Sequence, residues 1–277
     1  EAAALIASQF EELGDITEQT RHWLFRESAN FFERLRLREI PTLDDVSPNE
    51  ALAFIDEPYL SRTGAWGEPA PPTRSKRRTA IRLVFQTARH LHIATGDPTQ
   101  DIVIDRTGAQ GKRPLEDDEE LLGRSASRST LQDTRHPAGW ALGQATATSG
   151  EIAVAEVGDL RLADHEVLLR GHTKREPRIG HLSDWGVQRL RERVAALDGP
   201  PTTRLVTGTA PQGESAQAYS CAVIHDVMKW ALLAGEPGLE PNSLAAWAGR
   251  RDCASSGRIE DAARALGVRS LDNAARI

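Results

Sequence analysis

Cysteine is almost missing from this chain: its 277 residues hold only Cys221 and Cys253, with no Cys-x-x-Cys pair. That excludes a disulfide scaffold and a four-cysteine zinc site, and it suits a reducing cytoplasm. Long apolar runs are missing as well. No stretch approaches the roughly 18–20 residues that a membrane-spanning helix needs, and the first residues do not read as a secretory signal. Internal repeats and low-complexity tracts are absent, which excludes solenoids and fibrous assemblies. Tyrosine occurs only twice, at Tyr59 and Tyr219.

What is present describes a globular protein. Charged residues make up 27% and hydrophobic residues 39% of a chain long enough for two domains with their own cores. The net charge of −6 argues mildly against a polyanionic partner, but its distribution argues for one. Residues 1–50 hold eleven acidic and five basic side chains, whereas residues 73–113 hold nine basic and three acidic ones. A local field matters more to nucleic acid than the total does.

Punctuation and periodicity predict mostly helices. Ser47, Pro48 and Glu50 read as an N-cap, a first helical residue and the return arm of a capping box, ahead of an apolar face of Ala51, Phe54 and Ile55. Ile81, Val84, Phe85, Ala88 and Leu91 recur at helical spacing, flanked by Arg78, Arg82 and Arg89, with Gly96 and Pro98 closing that helix. Residues 107–118 are polar and aperiodic, the best linker candidate. Beyond them the pattern predicts a helix over 131–147, short strands at 167–170 and 178–182, and a helix capped by Ser183. Three further helices follow, around 219–230, 243–255 and 259–266, the last two stopped by Gly257 and Gly267.

Residues 145–159 (ATATSGEIAVAEVGD) and 166–182 (EVLLRGHTKREPRIGHL) carry a more specific signal. They resemble the centre of the tyrosine recombinase (phage integrase) family, which reads TGLRxxEL, then Val-x-Asp, then a β-hairpin bearing Gly-Lys-Gly. Glu151, Val157, Asp159 and Gly171 stand where that pattern wants them. Residues 41–56 and 73–102 are similar to the family's core-binding domain, and LEDDEELLGR at 115–124 to the start of its catalytic domain. The resemblance implies a mainly α fold with a small β-sheet (α+β): a helical, SAM-like core-binding domain at 1–111, a linker at 112–116 and a recombinase-like domain at 117–277.

The family cuts DNA by attack of a Tyr hydroxyl on a phosphodiester. Two guanidinium groups stabilise the charge that builds on the phosphate, and a hairpin Lys protonates the leaving oxygen. The matching positions here carry Thr148 for the first Arg, His172 for the Lys, Asn242 and Ala245 for His and Arg of the H-x-x-R box, Val268 for the later His and Ile277 for the Tyr. The resemblance therefore implies a catalytically degenerate member, a pseudoenzyme. Lys174, two residues past His172, is the one substitute at hand in a shifted hairpin.

Double-stranded DNA is the partner that the resemblance implies, with the two domains closing on it as a clamp. The basic residues assigned to it are Arg74, Lys76, Arg77, Arg78, Arg82 and Arg89 on one helix, Lys174, Arg175 and Arg178 about the hairpin, and Arg250 and Arg251 after the lost H-x-x-R box. Phosphate contacts of this kind survive the loss of cleavage. The expected role is architectural, regulatory or recombination-accessory, in the bacterial or phage cytoplasm at the nucleoid, as a monomer in solution or a dimer on DNA. The alternatives are a protein-interaction module docking on an active recombinase and a divergent strand-transfer enzyme. No cofactor or metal is called for. His90 and His92 diverge on a helix, His172 and His181 lack a third ligand, GTAPQG at 208–213 lacks a phosphate-loop ending, and Ser215, His225 and Asp226 lack a nucleophile elbow. Trp230 and Trp247 read as core.

Overall fold

The computed structural model describes Gly14 and residues 18–60, 66–104, 112–129, 133–172, 174–208 and 214–275. The chain divides into two compact units, Glu1–Gly108 and Ala109–Ile277. Among the described residues no helix is long and apolar enough to cross a membrane.

In the first unit, helices α1 (Glu18–Leu37), α2 (Pro48–Ile55) and α3 (Pro71–His90) enclose a core, with an antiparallel hairpin, β1 (Tyr59–Leu60) and β2 (Trp66–Gly67), leading into α3. Phe31 of α1 is fully buried and meets Phe54 edge-on at 5.3 Å and Phe85 at 6.2 Å. The Ser47 hydroxyl accepts from the Glu50 backbone N–H at 3.2 Å, so the predicted cap forms. The Glu50 carboxylate, expected to complete a capping box, lies instead 3.8 Å from Arg34 of α1.

Helix α3 departs most from its sequence pattern. A one-sided apolar stripe was expected, with Arg78, Arg82 and Arg89 beside it facing DNA. The helix is instead buried all round from Arg78 to Ala88. Arg78 and Arg82 are each 1% exposed. Arg78 Nη1 donates to the Ile102 carbonyl at 3.0 Å, and Arg82 Nη2 to the Thr99 carbonyl at 3.3 Å. The segment that folds back after α3 has carbonyls outside any ladder, and buried guanidinium forks satisfy them. The helix ends at His90, short of Gly96, where His92 takes a left-handed backbone with φ 57°.

The second unit contains α4 (Asp117–Ala126), α5 (Arg135–Gln144), α6 (Ser149–Val154), strands β3 (Leu160–Arg161), β4 (Glu166–Leu169) and β5 (Arg178–His181), then α7 (Asp184–Leu197), α8 (Glu214–Trp230), α9 (Ser243–Ser256), α10 (Ile259–Leu266) and α11 (Leu271–Ala275). The strands form one antiparallel sheet in the order β3-β4-β5, pairing Val167 with Gly180 and Leu169 with Arg178. Residues 112–116, expected as the linker, are tied to this unit. Arg113 N–H bonds to the Gly238 carbonyl at 2.9 Å, Leu115 N–H to that of Ser243 at 3.1 Å, and the Leu115 side chain is buried. Polarity hid the anchoring because backbone groups provide part of it, beside the Arg113–Glu119 ion pair at 2.6 Å.

Helix α5 is the hub, buried from His136 to Gln144. Trp140 packs so closely on α4 that a Cβ at Gly123 would stand 1.9 Å from its ring. Its Nε1–H donates to Glu120 at 3.2 Å, Gln144 donates to the same carboxylate, and Arg124 pairs with it at 3.2 Å. The indole and the charged pair thus enter the core with their polar atoms bonded. Trp247 is likewise core, as expected, with its N–H on Asp117 at 2.7 Å. Helices α9 and α10 stop at Gly257 (φ 69°) and Gly267 (φ 64°), as the sequence predicts.

Candidate functional site

Helix α6 opens at Thr148, whose backbone N–H and hydroxyl both donate to Glu151 Oε2, each at 2.9 Å. The same carboxylate takes the Arg178 guanidinium from β5. Arg178 Nη2 also donates to the Thr146 carbonyl at 2.8 Å, and Nε to that of Ala265 at 2.6 Å. One buried arginine thus ties the hairpin to the α5–α6 turn and to the end of α10. Burial pushes the Glu151 carboxyl pKa up, but the hydrogen bonds from Arg178 and Thr148 and the attraction of Arg178 outweigh it, leaving it below its ordinary value.

An open cavity of about 750 Å³ lies against this junction. Thr148, His172, Asn242 and Val268 all line it, although they come from four separate segments. The fold therefore gathers four of the positions that the resemblance matches to the family's catalytic set. Ala245, a fifth, is buried at 2% exposure one turn into α9 and does not line the space. Ile277 lies outside the described residues.

The cavity's charge comes from the hairpin. Lys174 and Arg175 line it beside His172, and among the described residues no carboxylate does. Arg175 Nη1 donates to the Leu266 carbonyl at 2.5 Å. Among the described residues no carboxylate lies within ion-pair distance of Arg175. Burial, with Arg178 beside it, holds its guanidinium below the usual pKa despite the pull of Glu151. Carboxamides complete the wall: Gln217 of α8 and Asn273 of α11 join Asn242. Sequence reasoning missed Gln217 and Asn273, and only the contact of α8 with α6 and the turn after Gly267 bring them in.

The other basic residues assigned to DNA have different fates. Lys76 and Arg251 are exposed, Arg251 lying over the Trp247 ring at 4.9 Å. Arg74 pairs with Asp56 at 2.6 Å, Arg89 with Asp97 at 3.5 Å, and Arg250 with Glu116 at 3.1 Å. Arg77 donates to the backbone carbonyls of Ile55 and Glu57 at the end of α2. Arg78, Arg82 and Arg178 are interior, so their assignment to a DNA surface is corrected: each holds groups of its own unit together.

Tyr219 does not line the cavity; its hydroxyl accepts from Arg135, whose guanidinium also lies over the ring at 5.5 Å. Trp230, half-buried, meets His136 with the rings tilted by 55° and their centroids 4.5 Å apart. The Ser215 side chain and residues 209–213 lie outside the described residues. Among the described residues no three His, Cys, Asp or Glu side chains gather as metal ligands.

With helices ahead of a small sheet, and a hairpin and helix ends converging on one cavity, the fold is that of the tyrosine recombinases. It matches the crystal structure of XerA recombinase with a TM-score of 0.52 at 14% identity, over 99% of this chain and 91% of that one. It is also similar to XerH recombinase bound to palindromic difH substrate (TM-score 0.49, 15% identity, 93% and 74% covered). The Tn1549 transposon integrase in complex with transposon right end DNA gives a TM-score of 0.47 at 13% identity, with 99% and 93% covered. No family model and no curated protein matches the chain.

Proposed function

We propose that this chain binds duplex DNA without cutting it, as an architectural, regulatory or recombination-accessory protein. One observation carries the reading: Thr148, His172, Asn242 and Val268 line one cavity, and none is the arginine, lysine or histidine that the resemblance matches to its position. Removing a single preorganised donor from such a site typically costs about 10²–10³ in rate. Lys174 and Arg175 remain in the cavity as phosphate-binding charges. Tyr219 is held by Arg135 outside it, which supports a binding role over a nucleophilic one.

The test is fluorescence anisotropy with a labelled duplex of about 30 base pairs over a salt series, joined to a denaturing gel on nicked suicide-site DNA. Binding that weakens steeply with salt, and no covalent adduct, is the expected result. An adduct would overturn the non-cutting part of the reading. A second reading, docking on a protein partner such as an active recombinase, is favoured by the internal use of Arg74, Arg77, Arg78, Arg82 and Arg89. It predicts partner capture by a protein that has no duplex affinity.

A further inference from the structure

The two arginines flanking Glu176 and Pro177 differ in one respect. Arg178 is neutralised: Glu151 lies against it, and the pair is buried at 6% and 1% side-chain exposure. Arg175 is half-buried beside that pair, facing the cavity, with a backbone carbonyl as its described acceptor. A guanidinium offers five N–H donors in a fork that fits two oxygens of one tetrahedral anion. Lys174 adds a second, exposed charge on the same wall, and its backbone N–H donates to His172 Nδ1 at 3.3 Å. The carboxamides of Asn242, Asn273 and Gln217 also line it, and among the described lining residues none is acidic.

We propose that this cavity is a receptor for a phosphate-bearing ligand in which Arg175 is the gripping residue and Lys174 the outer charge. The inference rests on the binding reading above and deepens it: the hairpin, not the helix ends at positions 148 and 245, supplies the positive charge. The volume of about 750 Å³ falls in the range that admits a small ligand whole. Two sources therefore share this chemistry, the DNA backbone and a free phosphate ester. A bound phosphate compensates the charge of Arg175, which has no ion-pair partner among the described residues, and it displaces none of the Arg178 contacts that hold the hairpin.

Three variants of the full chain test this, each first shown to be folded by circular dichroism. Arg175→Gln removes the fork. Arg175→Lys keeps the charge and loses the two-point grip. Val154→Glu adds a carboxylate at the cavity wall from a position that is 36% exposed, and breaks no described hydrogen bond. The probes are inorganic phosphate and deoxyadenosine monophosphate by calorimetry against a chloride control, and the labelled duplex by anisotropy. Arg175→Gln and Val154→Glu are expected to weaken both kinds of binding about tenfold or more, with Arg175→Lys between them and wild type. If the wild type binds the small phosphates, loses them in Val154→Glu and never binds duplex, the receptor stands with a free ester as its ligand and the DNA reading falls. Duplex binding that none of the variants changes overturns the receptor and leaves the DNA reading standing. A wild type that binds neither probe overturns both.

Discussion

Glu151 and Arg178 form an ion pair at 1% and 6% side-chain exposure that joins the first residues of α6 to strand β5. The pair sits behind the cavity and fixes where its hairpin wall stands. Replacing Glu151 by Gln leaves a buried guanidinium without its counter-charge. A loss of about 3–5 kcal/mol in denaturant-unfolding stability is expected at neutral pH.

The same pair gives a pH dependence with a definite sign. The Glu151 carboxyl is lowered in the folded protein from its ordinary value of 4.5. Its stabilisation is therefore complete above that value and lost as pH falls through the lower folded value. The stability gap between wild type and Glu151→Gln should be widest above about pH 5 and narrow below 4.5. A gap that widens on acidification would contradict this assignment.

Gly123 is required by packing rather than by backbone conformation. A methyl group there would stand 1.9 Å from Trp140. The indole cannot retreat while its N–H holds Glu120. Gly123→Ala is expected to destabilise by about 1–3 kcal/mol or more, read as a lowered thermal midpoint, against the usual gain for this change in an exposed helix.

Arg78 and Lys76 separate folding from binding within one helix. Arg78→Met removes the donor to the Ile102 carbonyl and should cost about 1–3 kcal/mol of stability. Lys76→Glu acts at an exposed position, and should leave the unfolding midpoint unchanged while weakening duplex binding. Equal destabilisation by the two would refute the burial contrast.

Helix starts at Ser47 and Ser183, helix stops at Gly257 and Gly267 and the strand pair around Gly180 were all legible in the sequence, because each rests on local chemistry. The convergence of Thr148, His172, Asn242 and Val268 was readable only through the family resemblance, since no periodicity joins segments so far apart. The roles of the basic residues were not legible. Arg78 and Arg82 satisfy carbonyls some 20 residues further along the chain, and Arg178 pairs with Glu151 across two elements. An arginine's letter does not say whether water, a carbonyl or a carboxylate surrounds it. The anchoring of residues 112–116 was hidden for a similar reason: main-chain bonds make part of it, and the Arg113–Glu119 pair makes another part.

The Thr148 cap has a bearing on how this cavity could be given a cutting chemistry. Its hydroxyl and N–H both serve Glu151, which in turn holds Arg178. An arginine placed at 148 forfeits the hydroxyl cap, worth about 0.5–2 kcal/mol, and sets another guanidinium close to Arg175 and Arg178. Position 245 is harder still, for Ala245 is packed at 2% exposure and admits no longer side chain without repacking α9. Conversion is therefore not a matter of independent single replacements: the changes at 148 and 245 would each lower stability before any reaction was gained.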